Sequence, residues 1–365
     1  MKIKINKKTL LNTLETCAKA LNPHSALTSL QGIMIVVLEN QIIFTTSNSN
    51  LSIKEIIEKN DGLEIIEPGK ALIPGKLFID IIKKQDEEIT IFKEKESVII
   101  ESLDSKVHIN LLDVNEYPII SFDNYGEEFI INAEELKKII SEVAFAASDG
   151  DKRIILNGVN LSLQNKILTI GATNSFRLAC KEIEVESNIE FNISILSKNL
   201  RHFIPTNVKN DIKLWVTDAK IVTQFKNTTI VSKLIDGIYP EIKRLIPNNF
   251  ETEVIVNTKI LSNLLDKAMV MTSESNVVVK LTIDEDVLAL ESKRDQIGDL
   301  FAKTNSFSKT GAKIEIAFNG QFLKEAISRF SGEVKIGFNG PQKPFIIKSS
   351  SNKLLIQLVL PHRSY

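Results

Sequence analysis

Apolar residues recur along this chain at two spacings, and the two alternate three times over. Asn6, Asn132 and Asn257, 126 and 125 residues apart, each open a segment with apolar side chains at i, i+4, i+7 and i+8. The first segment has Leu10, Leu14, Cys17 and Ala18, the second Leu136, Ile140, Val143 and Ala144, the third Leu261, Leu265, Ala268 and Met269. That is the period of a helix burying one face. Thr9, Ala133 and Thr258 are candidate first residues, and an asparagine ahead of them suits the cap, where its oxygen can accept from free N–H groups.

A second helix signal follows in each copy. Pro74, Ser197 and Asn319, separated by 123 and 122 residues, stand where a helix starts. Proline suits a first turn, and serine and asparagine suit a cap. The faces behind them are Leu77, Phe78, Ile81 and Ile82; Leu200, Phe203 and Ile204; and Phe322, Leu323, Ala326 and Ile327. Arg201 interrupts the middle one. Between the helices the pattern changes to a period of two, at 32–38, 41–46, 98–102, 106–111, 159–163, 167–172, 221–225, 229–233, 277–283, 287–291 and 354–360. Such alternation predicts half-buried antiparallel strands. Tyr117-Pro118 and Tyr239-Pro240 end two strand regions, and Pro361 stands near the end of the third. The chain therefore reads as α+β, three tandem repeats of a two-helix, antiparallel-sheet domain. Polar stretches at 123–128 and 248–253 serve as linkers, which gives domains 1–123, 124–249 and 250–365.

Composition narrows the class. Of 365 residues 43% are hydrophobic and 25% charged, a globular balance that excludes disorder as the main state. No stretch approaches the roughly 18–20 uninterrupted apolar residues of a membrane span. The opening MKIKINKKTLL lacks the apolar core of a secretory leader. The two cysteines, Cys17 and Cys180, sit in apolar stretches, which fits a reducing, cytoplasmic setting rather than a disulfide scaffold. Lys and Arg number 45 against 46 Asp and Glu, for a net charge of −1. Any contact with nucleic acid would therefore come from a local patch, not from bulk attraction.

Catalytic signatures are missing. There is no phosphate-binding glycine loop, no dinucleotide fingerprint, no His-Glu-x-x-His and no Cys-x-x-Cys. His24, His108, His202 and His362 are far apart in sequence, with no second ligand type at metal spacing. Asp149, Asp151 and Lys152 read as a solvated turn, and Trp215 as a core or sheet residue. Lysines on the outer helix faces carry more information. Lys8, Lys19, Lys137, Lys138, Lys198, Arg201, Lys259 and Lys324 each fit an ordinary solvated face, yet repeated over three units they would line one surface with weak positive charge.

Several short motifs then fall into order along the whole chain. They are Glu67-Pro68-Gly69 with Ile73-Pro74-Gly75-Lys76-Leu77-Phe78; Leu156-Asn157-Gly158; and Ala172-Thr173-Asn174-Ser175-Phe176-Arg177-Leu178-Ala179. Asp236-Gly237 with Tyr239-Pro240 follows, then Arg244-Leu245-Ile246-Pro247 and the tail Leu358-Val359-Leu360-Pro361-His362-Arg363-Ser364-Tyr365. In order, spacing and threefold setting this sequence resembles the bacterial sliding clamps, the beta subunit of DNA polymerase III.

The resemblance implies a DNA clamp fold in which two chains join head to tail as a homodimeric ring of six domains, helices inside and sheets outside. It implies a non-catalytic, cofactor-free protein that encircles double-stranded DNA and makes the replicative polymerase processive by tethering it. Clamp loader and repair proteins would use the same pocket through short linear motifs, in the cytoplasm at the nucleoid. A ring held by topology needs only weak, sequence-blind phosphate contacts, which suits the near-zero net charge.

Carried over residue by residue, the partner-peptide pocket comprises Leu156, Thr173, Ser175, Phe176, Arg177, Leu178, Pro240, Arg244, Leu245, Leu358, Val359, Leu360, Pro361, His362 and Arg363. Aliphatic walls with a few donors suit a peptide groove. Lys8, Lys19, His24, Lys198, Arg201 and Lys324 would face DNA. Val107 and Ile109 would meet Val270 and Met271 of a second copy. Asn174 stands where the family often has Asp, and His362 where a smaller or apolar residue is usual. Both are placed at the pocket rim, which leaves the partner motif's preference open. Two other readings stand beside this one: a tandem-repeat scaffold that binds proteins but not DNA, and an enzyme whose site is assembled from scattered residues.

Overall fold

The computed structural model describes residues 1–60, 62–204, 208–273 and 277–362. Asparagine caps start the helices, as the pattern predicts. Asn6 Oδ1 accepts from the Lys8 and Thr9 N–H groups at 2.9 and 3.4 Å and opens helix α1 (Lys7–Ala18), which starts two residues ahead of Thr9. The second helix of this repeat is α2 (Gly75–Ile82), with Pro74 at its cap position. Asn132 Oδ1 accepts from the Glu134 and Glu135 N–H groups, both at 3.1 Å, at the start of α3 (Ala133–Val143). Here the pattern's symmetry fails, because α4 (Ser197–Leu200) is a single turn. Pro205 stands only five residues past Leu200 in the sequence, and a proline both lacks a donor and turns the residue before it away from helical geometry. Asn257 caps α5 (Thr258–Met269) through Lys259 N at 3.0 Å, and Asn319 caps α6 (Gly320–Ile327) through Gln321 N at 2.9 Å.

The strands pair antiparallel into four sheets among the described residues. Packing gathers them into two compact units, Met1–Lys137 with Lys198–Leu234, and Lys138–Ser197 with Ile235–Tyr365. The middle repeat is divided between the two, and the division passes through α3.

The first unit has a five-stranded sheet in the order Leu63–Glu67, Lys2–Asn6, Glu88–Glu94, Ser97–Glu101, Lys106–Asn110. Its second sheet has eight strands: Glu127–Asn132, Asp211–Val216, Lys220–Phe225, Thr228–Lys233, Leu51–Glu58, Gln41–Ser47, Gly32–Val37, Gly69–Pro74. The junction between repeats is an ordinary ladder, with Ile230 opposite Ile53. Leu10, Leu14 and Cys17 of α1 and Phe78 and Ile82 of α2 fill one core with Ile3, Ile35, Phe44, Ile91 and Ile100. Trp215 packs with Val222 and Val231 in the sheet, as expected of a core residue.

The second unit has a four-stranded sheet in the order Gly298–Thr304, Leu288–Arg294, Val278–Ile283, Ile314–Asn319. Its larger sheet has nine strands: Phe191–Leu196, Gly158–Gln164, Ile167–Thr173, Arg177–Glu184, Asn352–Val359, Phe345–Ser349, Glu333–Phe338, Thr252–Asn257, Phe307–Gly311. The repeats again join through a ladder, Leu178 opposite Leu358 and Cys180 opposite Ile356. Beside that ladder lies a buried ion pair. Lys181 Nζ is 2.6 Å from Glu142 Oε2, Asn352 Nδ2 donates to Glu142 Oε1 at 2.9 Å, and Gln357 Nε2 donates to the Glu142 carbonyl at 3.0 Å. Among the described residues no helix is long and apolar enough to cross a membrane, and no group of His, Cys, Asp and Glu is placed to hold a metal ion.

Candidate functional site

The strand Arg177–Glu184 organises the site in the second unit. Leu178 and Cys180 project from one of its faces into an apolar cluster with Tyr239, Ile242, Ile346 and Leu358, and Ile155, Ile246, Phe250, Ile356 and Leu360 pack around it. Two glycines make room. A Cβ on Gly171 would lie 2.0 Å from Ile242 Cδ1, and one on Gly337 2.5 Å from the Phe250 ring, so only glycine lets these side chains rest on the sheet. An open cleft of about 430 Å³, lined in part by Phe250, Ile346 and Lys348, adjoins the cluster, and another of about 600 Å³ lies along the tail, lined in part by Lys280, Pro361 and His362.

The turn before the strand is held by its own side chains. Asn174 Oδ1 accepts from the N–H groups of Phe176 at 3.0 Å and Arg177 at 2.9 Å, and Thr173 Oγ1 donates to the Arg177 carbonyl at 2.7 Å. Asn174 thus serves the backbone of its own loop, where an aspartate oxygen would accept equally well. The Tyr239 hydroxyl accepts from Thr173 N at 3.0 Å and donates to the Gly158 carbonyl at 3.3 Å, tying the Tyr-Pro corner to the turn. Burial pushes the Tyr239 hydroxyl and the Cys180 thiol each up to about 12, so both stay protonated.

The expected pocket residues divide into three groups. Leu178, Leu358 and Leu360 line the cluster, while Phe176, Pro240, Arg244 and Leu245 are exposed beside it, and Arg244 Nε lies 2.5 Å from Glu241. Leu156 and Val359 are buried outside the cluster; the neighbouring Ile155 takes the wall position expected of Leu156. Ser175, at φ 74°, and Thr173 shape the turn. The tail leaves the large sheet at Leu360, whose N–H donates to the Phe176 carbonyl at 2.9 Å, and reaches the other sheet, where His362 N donates to the Ala317 carbonyl at 2.7 Å. Arg363 lies outside the described residues. Ile155, Ile242, Ile346 and Phe250 were not predicted; Ile242 stands two residues past the Tyr239-Pro240 pair, but its seat against Gly171 gives no local signal.

Arg177 differs most from expectation. Its guanidinium is stacked between the rings of Phe322 and Phe145, 4.7 and 5.0 Å from their centroids. It pairs with Glu325, and Nη2 donates to the Phe145 carbonyl at 2.5 Å. The carboxylate and the carbonyl it contacts both come from the chain itself.

In the first unit the cations crowd together. His202 is held below the ordinary imidazole range by burial and then by the charges of Lys19 and Arg201. Lys137 is lowered by burial, with Lys19 and Lys209 adding to the effect against Glu134. Burial also lowers Lys19, against the pull of Glu55. Lys19, at the end of α1, is therefore within electrostatic reach of Lys137 on α3 and of His202 in the turn after α4; Arg201 lies close to His202, and Lys209, itself 3.8 Å from Glu134, close to Lys137. Lys8, His24 and Lys198 are exposed on the same unit. Lys324, in the second unit, is paired with Asp266 and so contributes less charge than expected.

The strand Lys106–Asn110 is an edge, but Ile109 is buried in its own core and Val107 packs against the same core. The reason is the period of two, which turns both to the inner face. Val270 is exposed at the end of α5, and Met271 approaches Gly298 on another edge strand, Gly298–Thr304, beside exposed Ile297 and Phe301.

Three domain models of the DNA polymerase III beta subunit match in sequence: the N-terminal domain at residues 1–121, the central domain at 130–241 and the C-terminal domain at 243–363. The Staphylococcus epidermidis beta sliding clamp is 31% identical over 376 residues, covering all of both chains. This chain belongs to the bacterial sliding clamps. The Staphylococcus aureus clamp is 30% identical over 377 residues, again with full coverage. The crystal structure of the Bacillus subtilis DNA polymerase sliding clamp superposes with a TM-score of 0.94 at 29% identity, also over all of both chains. The three-domain sliding-clamp fold follows, and so does its class: a non-catalytic processivity factor of DNA replication.

Proposed function

We propose that two copies of this chain close head to tail into a ring that encircles duplex DNA, with domains 1–123, 124–249 and 250–365 contributed by each. The helices line the hole, the sheets form the outside, and the apolar cluster around Leu178 takes short peptide motifs from the replicative polymerase, the clamp loader and repair proteins. The observation that carries the reading is the convergence of Lys19, Lys137, Arg201, His202 and Lys209 in a chain of net charge −1. Cations that raise one another's cost are relieved by a polyanion, and contacts of this kind are sequence-blind.

Assembly uses the two edge strands. Lys106–Asn110 of one copy lies against Gly298–Thr304 and the end of α5 of the next, where Val270, Met271 and Phe301 stand. A head-to-tail contact closes only when its rotation permits, and two identical contacts make the ring. Met271→Glu should give monomers by light scattering, while the unmodified chain should give dimers and six-lobed rings in particle images. A dimer that survives Met271→Glu overturns this interface.

A further inference from the structure

The face of the nine-stranded sheet that carries the apolar cluster runs on past it. Leu178 stands opposite Leu358, Leu358 opposite Ile346, Ile346 opposite Gly337 and Gly337 opposite Glu253, one row across five strands. The row begins apolar and ends polar, and the cleft of about 430 Å³ opens at the change. Ile346 and Phe250, which belong to the cluster or pack against it, are also walls of this cleft, together with Gly337, Glu253, Lys335 and Lys348. Its shape is set in advance. Phe250 rests on Gly337, and the linker on either side of Phe250 is held by Asn339, whose Oδ1 accepts from Glu251 N at 3.0 Å and whose Nδ2 donates to the Asn249 carbonyl at 2.8 Å. The charges there are uneven. Lys335 and Lys348 stand directly opposite each other, and like charges so placed destabilise a sheet. Glu253 offsets one of them, at 2.7 Å from Lys335 Nζ. Lys348 is half-buried and forms no ion pair among the described residues.

We propose that the peptide groove continues into this cleft, where Lys348 receives an acidic side chain of the bound peptide. The inference rests on the peptide-groove reading above. The sheet sets the spacing. Ile346 lies two strands from Leu178, and Lys348 two residues farther along the strand of Ile346, so roughly 12 Å separates Leu178 from Lys348. An extended peptide covers that span in about three to four residues. An acid directly beside the apolar anchor falls short of Lys348. Because Glu253 already occupies Lys335, the cleft offers one cation and takes one carboxylate.

The test titrates labelled Gly/Ser peptides that carry a pair of leucines, matched to the aliphatic walls of the cluster, and one Asp or Asn. That residue stands either next to the leucines or about four residues away, on each flank in turn. On one flank the distant Asp should bind the unmodified chain about two- to fivefold tighter than the distant Asn, as a partly exposed ion pair allows, and salt should reduce the ratio. Asp next to the leucines should show no such preference. Lys348→Gln should bring the ratio to about one, Lys348→Arg should keep it, and the melting temperature of each variant reports on folding. A ratio that survives Lys348→Gln, or that is about one on both flanks of the unmodified chain, overturns the proposal. So does equal weakening of the Asp and Asn peptides by Lys348→Gln with the ratio preserved, which would make Lys348 a support for the sheet. Failure of the unmodified chain to bind any of the peptides would instead bring down the groove reading itself.

Discussion

The apolar cluster of the second unit and the cationic surface of the first are built on opposite rules. Around Leu178 the polar groups turn to the chain itself: Thr173, Asn174 and Tyr239 bond within their own corner, and Arg177 is stacked and paired. Under the proposed reading, recognition there depends on shape, and the apolar surface is what remains on offer. Around Lys19 the charges are instead crowded, and burial with like charge works against protonation of His202 and Lys137. Under the proposed reading, that region gains by meeting a polyanion, and it needs no particular shape to do so. The difference suits one surface for selecting a peptide and the other for sliding over phosphates.

The largest effect that can break this contrast lies beneath the cluster. Lys181→Met would leave Glu142 buried without its cation, and breaking such a pair by removing one member costs about 3–5 kcal/mol. Chemical denaturation should show that loss, whereas the same change at the exposed Lys166–Glu186 pair should cost well under about 1 kcal/mol. The next effect is on the peptide. Leu178→Asp places a carboxylate in the apolar cluster, and should weaken an apolar peptide by roughly thirtyfold or more, about 2 kcal/mol. Because Leu178 is 2% exposed, melting temperature should fall with it. Leu245→Ala, at an exposed position, separates the two: a loss of about three- to tenfold in peptide binding with the melting temperature unchanged.

The cationic side gives smaller numbers of a different kind. Lys19→Gln and Arg201→Gln should each lower the slope of DNA affinity against salt by about one and leave peptide binding unchanged. Glu55 sharpens the picture. It is buried, accepts from Thr228 Oγ1 at 2.7 Å, and burial raises its pKa above the ordinary carboxylate value of 4.5. A carboxyl raised by folding binds its proton more tightly in the folded chain, so stability falls as pH climbs from about 4.5 through the raised value. Glu55→Gln should therefore stabilise the chain by roughly 1 kcal/mol above that window, and the gain should vanish as pH falls through it. Loss of the negative charge beside Lys19 should also tighten DNA binding slightly.

How much of this was legible in the sequence depends on whether a residue acts locally. The asparagine caps, the helix faces and the period-two strands are local, and Asn6, Asn132, Asn257 and Asn319 start helices as their positions imply. The single turn of α4 departs from its repeat partners, and Pro205, five residues past Leu200, is a local signal for that which the helix-face pattern does not carry. Division of the chain into two packed units was not legible, because it follows from ladders such as Leu178 to Leu358 that join distant residues. At the site, Leu178, Leu358 and Leu360 could be placed from their motifs. Ile242 and Phe250 could not, because their seats depend on Gly171 and Gly337 in other strands. Arg177 was placed in the pocket by its motif, but its partners could not be read there, because only the approach of α6 supplies Glu325 and Phe322. Ile109 was placed at the contact with a second copy by the resemblance, but the face it takes is set by packing against the core.

The central claim is that the chain holds DNA by enclosing it, and one retention measurement tests that directly. The clamp is loaded onto nicked circular DNA with its loader and washed at high salt, and the circle is then cut once. The account predicts that clamp stays on the closed circle through the wash and leaves when the DNA is made linear, because topology, not charge, holds it. Equal loss from circular and linear DNA in the same salt would contradict it.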